Sequence, residues 1–424
     1  MTQHFDIVVV GAGPAGLAAA HAAASATARS KVAIIDDNPL SGGQIWRGGA
    51  AQQHDRRARA LWQALEQADN VTFLPATRVL MQVQPGALLV QNARQADTIG
   101  YQKLVLATGA RELLLPFPGW TLPGVSGAGG LQALAKGGYP VEGKRVVVAG
   151  SGPLLLAVAA TLRERGATVA AIVEQAGLPA LARFAAGLAL TPSKALQALR
   201  LGAALRGIPY YTDSYVSAAC GTDSLDAVLV QHKGASLDIA CDYLACGYGL
   251  LPNTELALAL GCAVEAGAVS TDPWQYTSVA NILCAGEGTG VGGVDLALVE
   301  GRIAGLAATG RASEAQAHFG ERDAWRRFAA RLARTFAPRA ELRTLALPDT
   351  IVCRCEDVCH GELREHPGWR SAKLHTRCGM GPCQGRVCGS ATDFLYGWRP
   401  DAVRTPIWPA RAGSIITLEP HKET

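Results

Sequence analysis

The sequence predicts an α/β chain in which two doubly wound, parallel-sheet domains precede a small, mainly helical one. Three observations carry this. An apolar strand, a glycine turn, an alanine-rich helix, a second strand and a closing acid occur in that order twice, at Phe5 to Asp36 and again at Arg145 to Glu174. The 424 residues, at about 150 per domain, allow two to three domains, each with a sizeable core. Six of the 11 cysteines crowd into the 36 residues from Cys353 to Cys388. The composition, 49% hydrophobic and 17% charged with 48 glycines, suits close helix and sheet packing and rules out extensive disorder.

Charge excludes other classes. With 39 basic against 35 acidic residues the net charge is +4, and no run of Lys or Arg gives the footprint of a nucleic-acid binder. Apolar stretches are broken well short of the roughly 18 to 20 residues a spanning helix needs, so no transmembrane segment is expected. Met1 to Asp6 lacks the cationic region of an export signal, and an odd cysteine count argues against a disulfide framework. The reading is a soluble cytoplasmic protein, with peripheral attachment at the inner membrane as a variant of it.

In the first copy the strand Phe5 to Val10 runs into Gly11-Ala-Gly13-Pro14-Ala15-Gly16, a helix follows, and Lys31 to Ile35 ends at Asp36. Gly11 makes the tight turn, Gly13 lets backbone approach a pyrophosphate, and Gly16 seats the helix on the strand, so that the helix N-terminus faces the phosphates. Asp36, 25 residues after Gly11, is placed to bond a ribose hydroxyl, with Asp37 as the alternative if the strand ends one residue later. In the second copy Gly150-Ser-Gly152-Pro-Leu-Leu155 leads to a strand ending at Glu174, 24 residues after Gly150. Leu155 stands where the third glycine belongs and is expected to push helix and strand apart. Glu174 would accept from a 2′-hydroxyl and repel a 2′-phosphate, so this site is expected to take NAD(H), or another adenine nucleotide, rather than NADP.

Three more strands end in small-residue turns: Leu104 to Ala110 with Ala107-Thr108-Gly109, Asp242 to Gly249, and Asn281 to Glu287 with Gly286 before the acid. With these the chain, from Phe5 to Ala308, resembles the flavoprotein oxidoreductases with two dinucleotide-binding domains, of glutathione-reductase-like architecture. The resemblance implies FAD at the first glycine motif, with Ala107, Thr108 and Gly109 returning beside it. It further implies Glu287 on the flavin ribityl chain where an Asp is usual, Val79 at the adenine, and Gly43 and Gln44 near the flavin. It also implies an NAD(P)-type domain, 118–245, inserted into an FAD domain formed by 1–117 and 246–310. The redox cysteine pair of disulfide reductases is missing, since no cysteine precedes Cys220. Nor is there a metalloprotease HExxH, a nucleophile elbow or a Walker lysine.

The cysteine block reads C-x-C, 22 intervening residues, then C-x4-C, at Cys353, Cys355, Cys378 and Cys383. Four thiolates from two turns suit zinc or an iron-sulfur cluster, and the tight C-x-C pair favours iron-sulfur over a zinc ribbon. Pro382 predicts a helix starting near Cys383, which would turn Cys388 about 140° away. Cys353, Cys355, Cys378 and Cys383 are therefore the expected ligands, with Cys388 replacing Cys378 if that stretch is not helical. Cys359 reads as a core residue, and the nine histidines show no ligand spacing.

This block, 346–398, resembles the 2Fe-2S domain of bacterioferritin-associated ferredoxins. Gly-Gly-Gln-Ile-Trp-Arg at Gly42 to Arg47, Leu-Pro-Gly-Val at Leu122 to Val125, and Gly-Met-Gly-Pro-Cys-Gln-Gly-Arg at Gly379 to Arg386 extend the likeness over nearly the whole chain. They resemble the α subunits of multisubunit amino- and imino-acid dehydrogenases: opine oxidases, D-hydroxyproline and proline dehydrogenases, hydrogen cyanide synthase and, more distantly, sarcosine oxidase. That likeness implies an electron-transfer subunit with FAD and a 2Fe-2S cluster, served by a substrate-oxidising flavoprotein β subunit, with a small ferredoxin-like γ subunit in some complexes. A stand-alone NADH:acceptor oxidoreductase and a non-catalytic assembly subunit with a structural metal are the two other readings. Between the domains, 311–345 is expected to be a helical linker with Trp325, Phe328, Leu332 and Phe336 on its apolar stripe, and 399–424 an extended tail.

Overall fold

The computed structural model describes residues 3–27, 29–50, 53, 55–400 and 403–416. They form two compact units, one from 3–111, 251–329 and 403–416, the other from 112–250 and 330–400.

In the first unit, Gln3–Val10 is the central strand, flanked in parallel by Val32–Ile35 and Ala96–Leu106. Val71–Leu74 extends the sheet on one side and Ile282–Cys284 pairs with Ala96–Leu106 on the other. The sheet is covered on both faces: Ile7 and Val9 belong to one core cluster, Phe5 and Val8 to the other. Helix Pro14–Ala26 is short of large side chains because another backbone lies against it. A Cβ on Gly301 or Gly305, in helix Val294–Ala308, would stand 2.2 Å from the carbonyl oxygens of Ala15 and Ala19. The abundance of glycine and alanine thus serves a helix contact as well as the nucleotide turn.

The second unit holds a five-stranded parallel sheet with Arg145–Gly150 between Thr168–Glu174 and Tyr243–Gly247. Leu155, expected to wedge helix from strand, is fully buried among Ala128, Val146, Val148 and Ala245. Its Cδ2 fills the space that the missing side chain of Gly247 leaves. A three-stranded antiparallel sheet, Ser214–Cys220, Ala227–His232 and Ala235–Ala240, was not anticipated. Its hairpin turns on Lys233 and Gly234, both at positive φ, a two-residue turn whose signal in the sequence is Lys-Gly rather than the commoner Asn-Gly.

The cysteine block is mainly helical, as expected, with helices His360–Arg364, Trp369–Thr376 and Cys388–Tyr396 after a short hairpin. Trp120 Nε1 donates to the Ile351 carbonyl at 2.6 Å, and the Arg354 guanidinium lies over the Trp120 ring. The single linker helix is instead two, Ala312–Gln316 and Phe319–Thr335. Phe319 and Trp325 pack with Val299 and Ile303 of the first unit, so the early part of the stripe serves its own domain. The tail runs beside Arg78–Gln84, where Ile407 N–H donates to the Leu80 carbonyl and the Ile407 side chain joins the core, then forms a short helix, Ala412–Ile416. Pro420 lies outside the described residues.

Candidate functional site: a dinucleotide cradle and a thiol cluster

The first glycine turn is shaped by backbone contacts that no side chain would permit. A Cβ on Gly11 would sit 2.2 Å from the Ala107 carbonyl oxygen, and one on Gly16 would sit 1.8 Å from that of Gly11. Gly13 differs: the nearest atom to its Cβ position is the Gly43 Cα at 3.9 Å, so this face of the turn is open. Gly43 arrives there because Gly42 N–H donates to the Ala12 carbonyl, which ties the 41–48 loop to the turn. Gln44 on that loop accepts from Arg47, whose Nε is buried without a partner. Asp36 is buried, one oxygen accepting from Ala12 N–H at 2.6 Å and the other from the N–H and side-chain amide of Asn38. Asp37 is half exposed beside Arg78. The Val79 side chain belongs to the core beneath the sheet. Thr108 donates to the Asn253 carbonyl, and Asn253 N–H returns to Gly109.

Glu287 sits on a short turn, Gly286–Thr289, carried by the strand Ile282–Cys284. The Gly286 turn packs on the first helix, where a Cβ would meet that of Ala15 at 2.6 Å. One Glu287 oxygen accepts from Gly293 N–H at 2.9 Å, and the other is buried with no partner. Burial pushes its carboxyl up to about 7, against the pull of the Gly293 amide and with a further push from Glu300.

Glu300 was missed by the sequence reading. One of its oxygens accepts from Gly286 N–H and the Thr289 hydroxyl, and the other accepts Arg326 Nε at 3.0 Å and Nη2 at 2.7 Å. A lone acid on the buried face of an Ala/Leu/Val helix was the available signal. This pair braces the turn that presents Glu287.

The second glycine turn repeats the first in its backbone. Gly150 abuts the Gly247 carbonyl as Gly11 abuts that of Ala107. Glu174, fully buried, accepts from Gly152 N–H at 2.7 Å and from Ala176 N–H at 2.8 Å, and burial pushes its carboxyl up to about 7. Gly152, the counterpart of Gly13, faces the ring of Phe336 at 3.5 Å.

Five thiols meet in the cysteine block. Cys353, Cys378 and Cys388 have their sulfurs within 4.8 Å of one another, and the Cys388 thiol also contacts that of Cys383, which in turn contacts that of Cys355. The helix expected to begin near Cys383 begins at Cys388, because 382–387 forms consecutive turns. That removes the angular separation argued from the spacing, and Cys388 points into the cluster. Backbone N–H groups of Gly379 and Cys355 donate to Cys353, and those of Gly385 and Val387 to Cys383. Gly381 is needed for this approach, since a Cβ there would lie 2.2 Å from that of Cys355. Convergent thiols ringed by amide donors are the environment of a thiolate-ligated metal or cluster. Cys359 lies apart, bonded to the Asp349 carbonyl.

The model of the pyridine nucleotide-disulphide oxidoreductase family matches residues 5–311. The chain belongs to this family. Over nearly its full length it is also similar to an opine oxidase subunit of Rhizobium meliloti, at 33% identity with 98% of this chain and 99% of that protein covered. The HcnB subunit of hydrogen cyanide synthase from Pseudomonas aeruginosa is 32% identical, with 95% and 96% covered. Among solved structures, L-proline dehydrogenase from P. horikoshii superposes with a TM-score of 0.72 at 19% identity, covering 98% of this chain and 80% of that one. Thioredoxin reductase of T. acidophilum superposes with a TM-score of 0.52 at 21% identity over 73% of this chain, so it shares the fold.

As a flavin-dependent oxidoreductase family, it implies FAD, and the first unit fits that group. Gly13 and Gly43 leave an open concavity at a helix N-terminus, and the unpartnered Glu287 oxygen is an acceptor awaiting a hydroxyl donor. The same unit is unsuited to disulfide chemistry. Its cysteines, Cys262 and Cys284, are buried and their thiols are pushed up by burial, away from the reactive thiolate. No helix among the described residues is long and apolar enough to cross a membrane.

Proposed function

We propose that the chain is the electron-transfer subunit of a heteromeric dehydrogenase acting on an amino or imino acid of the opine, proline or D-hydroxyproline type. It takes electrons from a separate flavoprotein subunit that oxidises the substrate. The observation that carries this reading is a full-length match to proteins named as subunits, in a chain whose thiols gather in one cluster rather than beside the flavin cradle. When bound, FAD supplies the exchange between two-electron input and the single-electron steps that an iron-sulfur cluster accepts.

The residues of this chain bind and orient. Gly11, Gly13, Pro14, Ala15 and Gly16 present the turn to the pyrophosphate, Asp36 holds its shape and borders the ribose, and Glu287 fixes the ribityl chain. Cys353, Cys355 and Cys383 hold a 2Fe-2S cluster. Cys388 is the fourth ligand in place of Cys378, because it contacts three other thiols and opens a helix whose N-terminal dipole favours an anionic cluster.

The test is elemental and kinetic. The chain purified without oxygen and loaded with FAD should hold iron and acid-labile sulfide in equal amounts, and should not oxidise proline, hydroxyproline or opines alone. Zinc at the cysteines, or substantial turnover by the pure polypeptide, would overturn the reading.

A further inference from the structure

The two glycine turns share a backbone and differ in what faces them. At Gly13 the space toward a pyrophosphate is open, and at Gly152 it is taken by Phe336. Phe336 is the first of four residues, Phe336 to Arg339, that cross the second turn and are bonded to it along their length. Ser151, one residue before Gly152, donates its hydroxyl to the Phe336 carbonyl at 2.9 Å. Gln175, which follows Glu174, donates its side-chain amide to Ser151 at 2.9 Å and to the Ala337 carbonyl at 3.0 Å, and accepts from Arg339 N–H at 2.9 Å. Arg339 is anchored beyond the turn by Asp213 at 2.7 Å. Phe184 closes the far side, edge-on to Phe336 with ring centroids 5.2 Å apart.

We propose that this strap is the resident occupant of the second dinucleotide site, and that it excludes NAD(H) and other adenine nucleotides from it. Three positions a dinucleotide would use are occupied. The Phe336 ring covers Gly152, where backbone must approach a pyrophosphate. The Glu174 carboxylate, which would meet the ribose, is fully buried with both oxygens on backbone amides. The polar groups flanking it, Ser151 and Gln175, spend their hydrogen bonds on strap carbonyls. A nucleotide would have to break these bonds and expose the ring before making any contact of its own. The second domain therefore acts as a scaffold that has kept the dinucleotide fold and turned its binding surface onto its own chain. This goes beyond the proposed function and does not depend on it, because it concerns what the polypeptide binds and not where its electrons come from.

The test uses the full chain loaded with FAD, so that the first site cannot capture the probe, and follows NADH by fluorescence titration without oxygen. Wild type should show no saturable binding up to millimolar NADH. Phe336→Ala uncovers Gly152 and Gln175→Ala unpins the strap at a different point. Each should gain saturable binding, tightened at least tenfold over wild type, with unchanged FAD content. Hydrogen exchange at Arg339 N–H should be slow and indifferent to NADH in wild type and fast in Gln175→Ala. Saturable micromolar binding by wild type would overturn the proposal. So would folded Gln175→Ala protein with a released strap and no gain in NADH affinity.

Discussion

A carboxylate oxygen buried without a partner is costly unless something arrives to bond it, and Glu287 carries such an oxygen. With its carboxyl pushed from 4.5 up to about 7, the folded apoprotein holds a proton that the unfolded chain has released. The stability this contributes is present below about pH 4.5 and is lost as pH rises through about 7. Glu287→Gln removes the titration, so the apoprotein variant should match wild type at pH 5 and unfold at higher temperature at pH 8, by at most about 3 kcal/mol. Equal Tm differences at both pH values, measured by calorimetry, would show that Glu287 does not titrate in this window. Among the cysteines, Cys388→Ala should abolish the visible absorption of the cluster, while Cys378→Ala and Cys359→Ala keep it. Loss in Cys378→Ala with retention in Cys388→Ala would restore the ligand set read from spacing. Gly11, Gly16 and Asp36 were legible in the sequence because the turn's chemistry admits few residues there. Cys388 was not, because its direction depended on where a helix starts, and Pro382 begins a series of turns rather than a helix.

At the scale of elements, the contact between helices Pro14–Ala26 and Val294–Ala308 depends on two missing side chains. Gly301→Ala puts a methyl 2.2 Å from the Ala15 carbonyl oxygen, in backbone that cannot yield locally. It should cost about 1–3 kcal/mol, the range for overpacking, and should weaken FAD binding as the Glu287 turn moves with its helix. Gly320→Ala, also helical but with nothing within 4 Å of its Cβ position, should be neutral or stabilising by about 0.5–1 kcal/mol. Similar losses for the two variants in thermal unfolding would refute the close-packing account. Arg326→Ala leaves Glu300 buried, with its two donors at the turn but no cation. Because the arginine is 40% exposed, the loss should fall below the roughly 3–5 kcal/mol of breaking a fully buried pair. It should show as a higher FAD dissociation constant in a fluorescence titration, and an unchanged constant would mean that the pair does not position the turn. The strands and the glycine helices were readable from local pattern. The helix pair and the Lys233-Gly234 hairpin were not, since alanine and glycine content does not name a partner and Lys-Gly is a weak turn signal.

Across the whole molecule, the sequence conveyed the order of domains and the two nucleotide folds but not the closure of the second. Phe336 read as one more position on an amphipathic stripe, and only the chain's path past Thr335 brings it onto Gly152. Each unit has its own core and its own ligand-holding residues, so ligands should stabilise the units separately. FAD at a hundred times its dissociation constant adds about 2.7 kcal/mol to the unit that binds it. For a unit of roughly 200 residues that is a rise of about 5–10 °C in its transition. Hydrogen exchange read by mass spectrometry should place the FAD protection in 5–111 and 251–311. Removing iron with a chelator should instead speed exchange in 351–396 and lower a different calorimetric transition. If FAD protected the cysteine block as strongly as its own cradle, or chelation loosened both regions equally, the two sites would share one cooperative unit and the separation would fail.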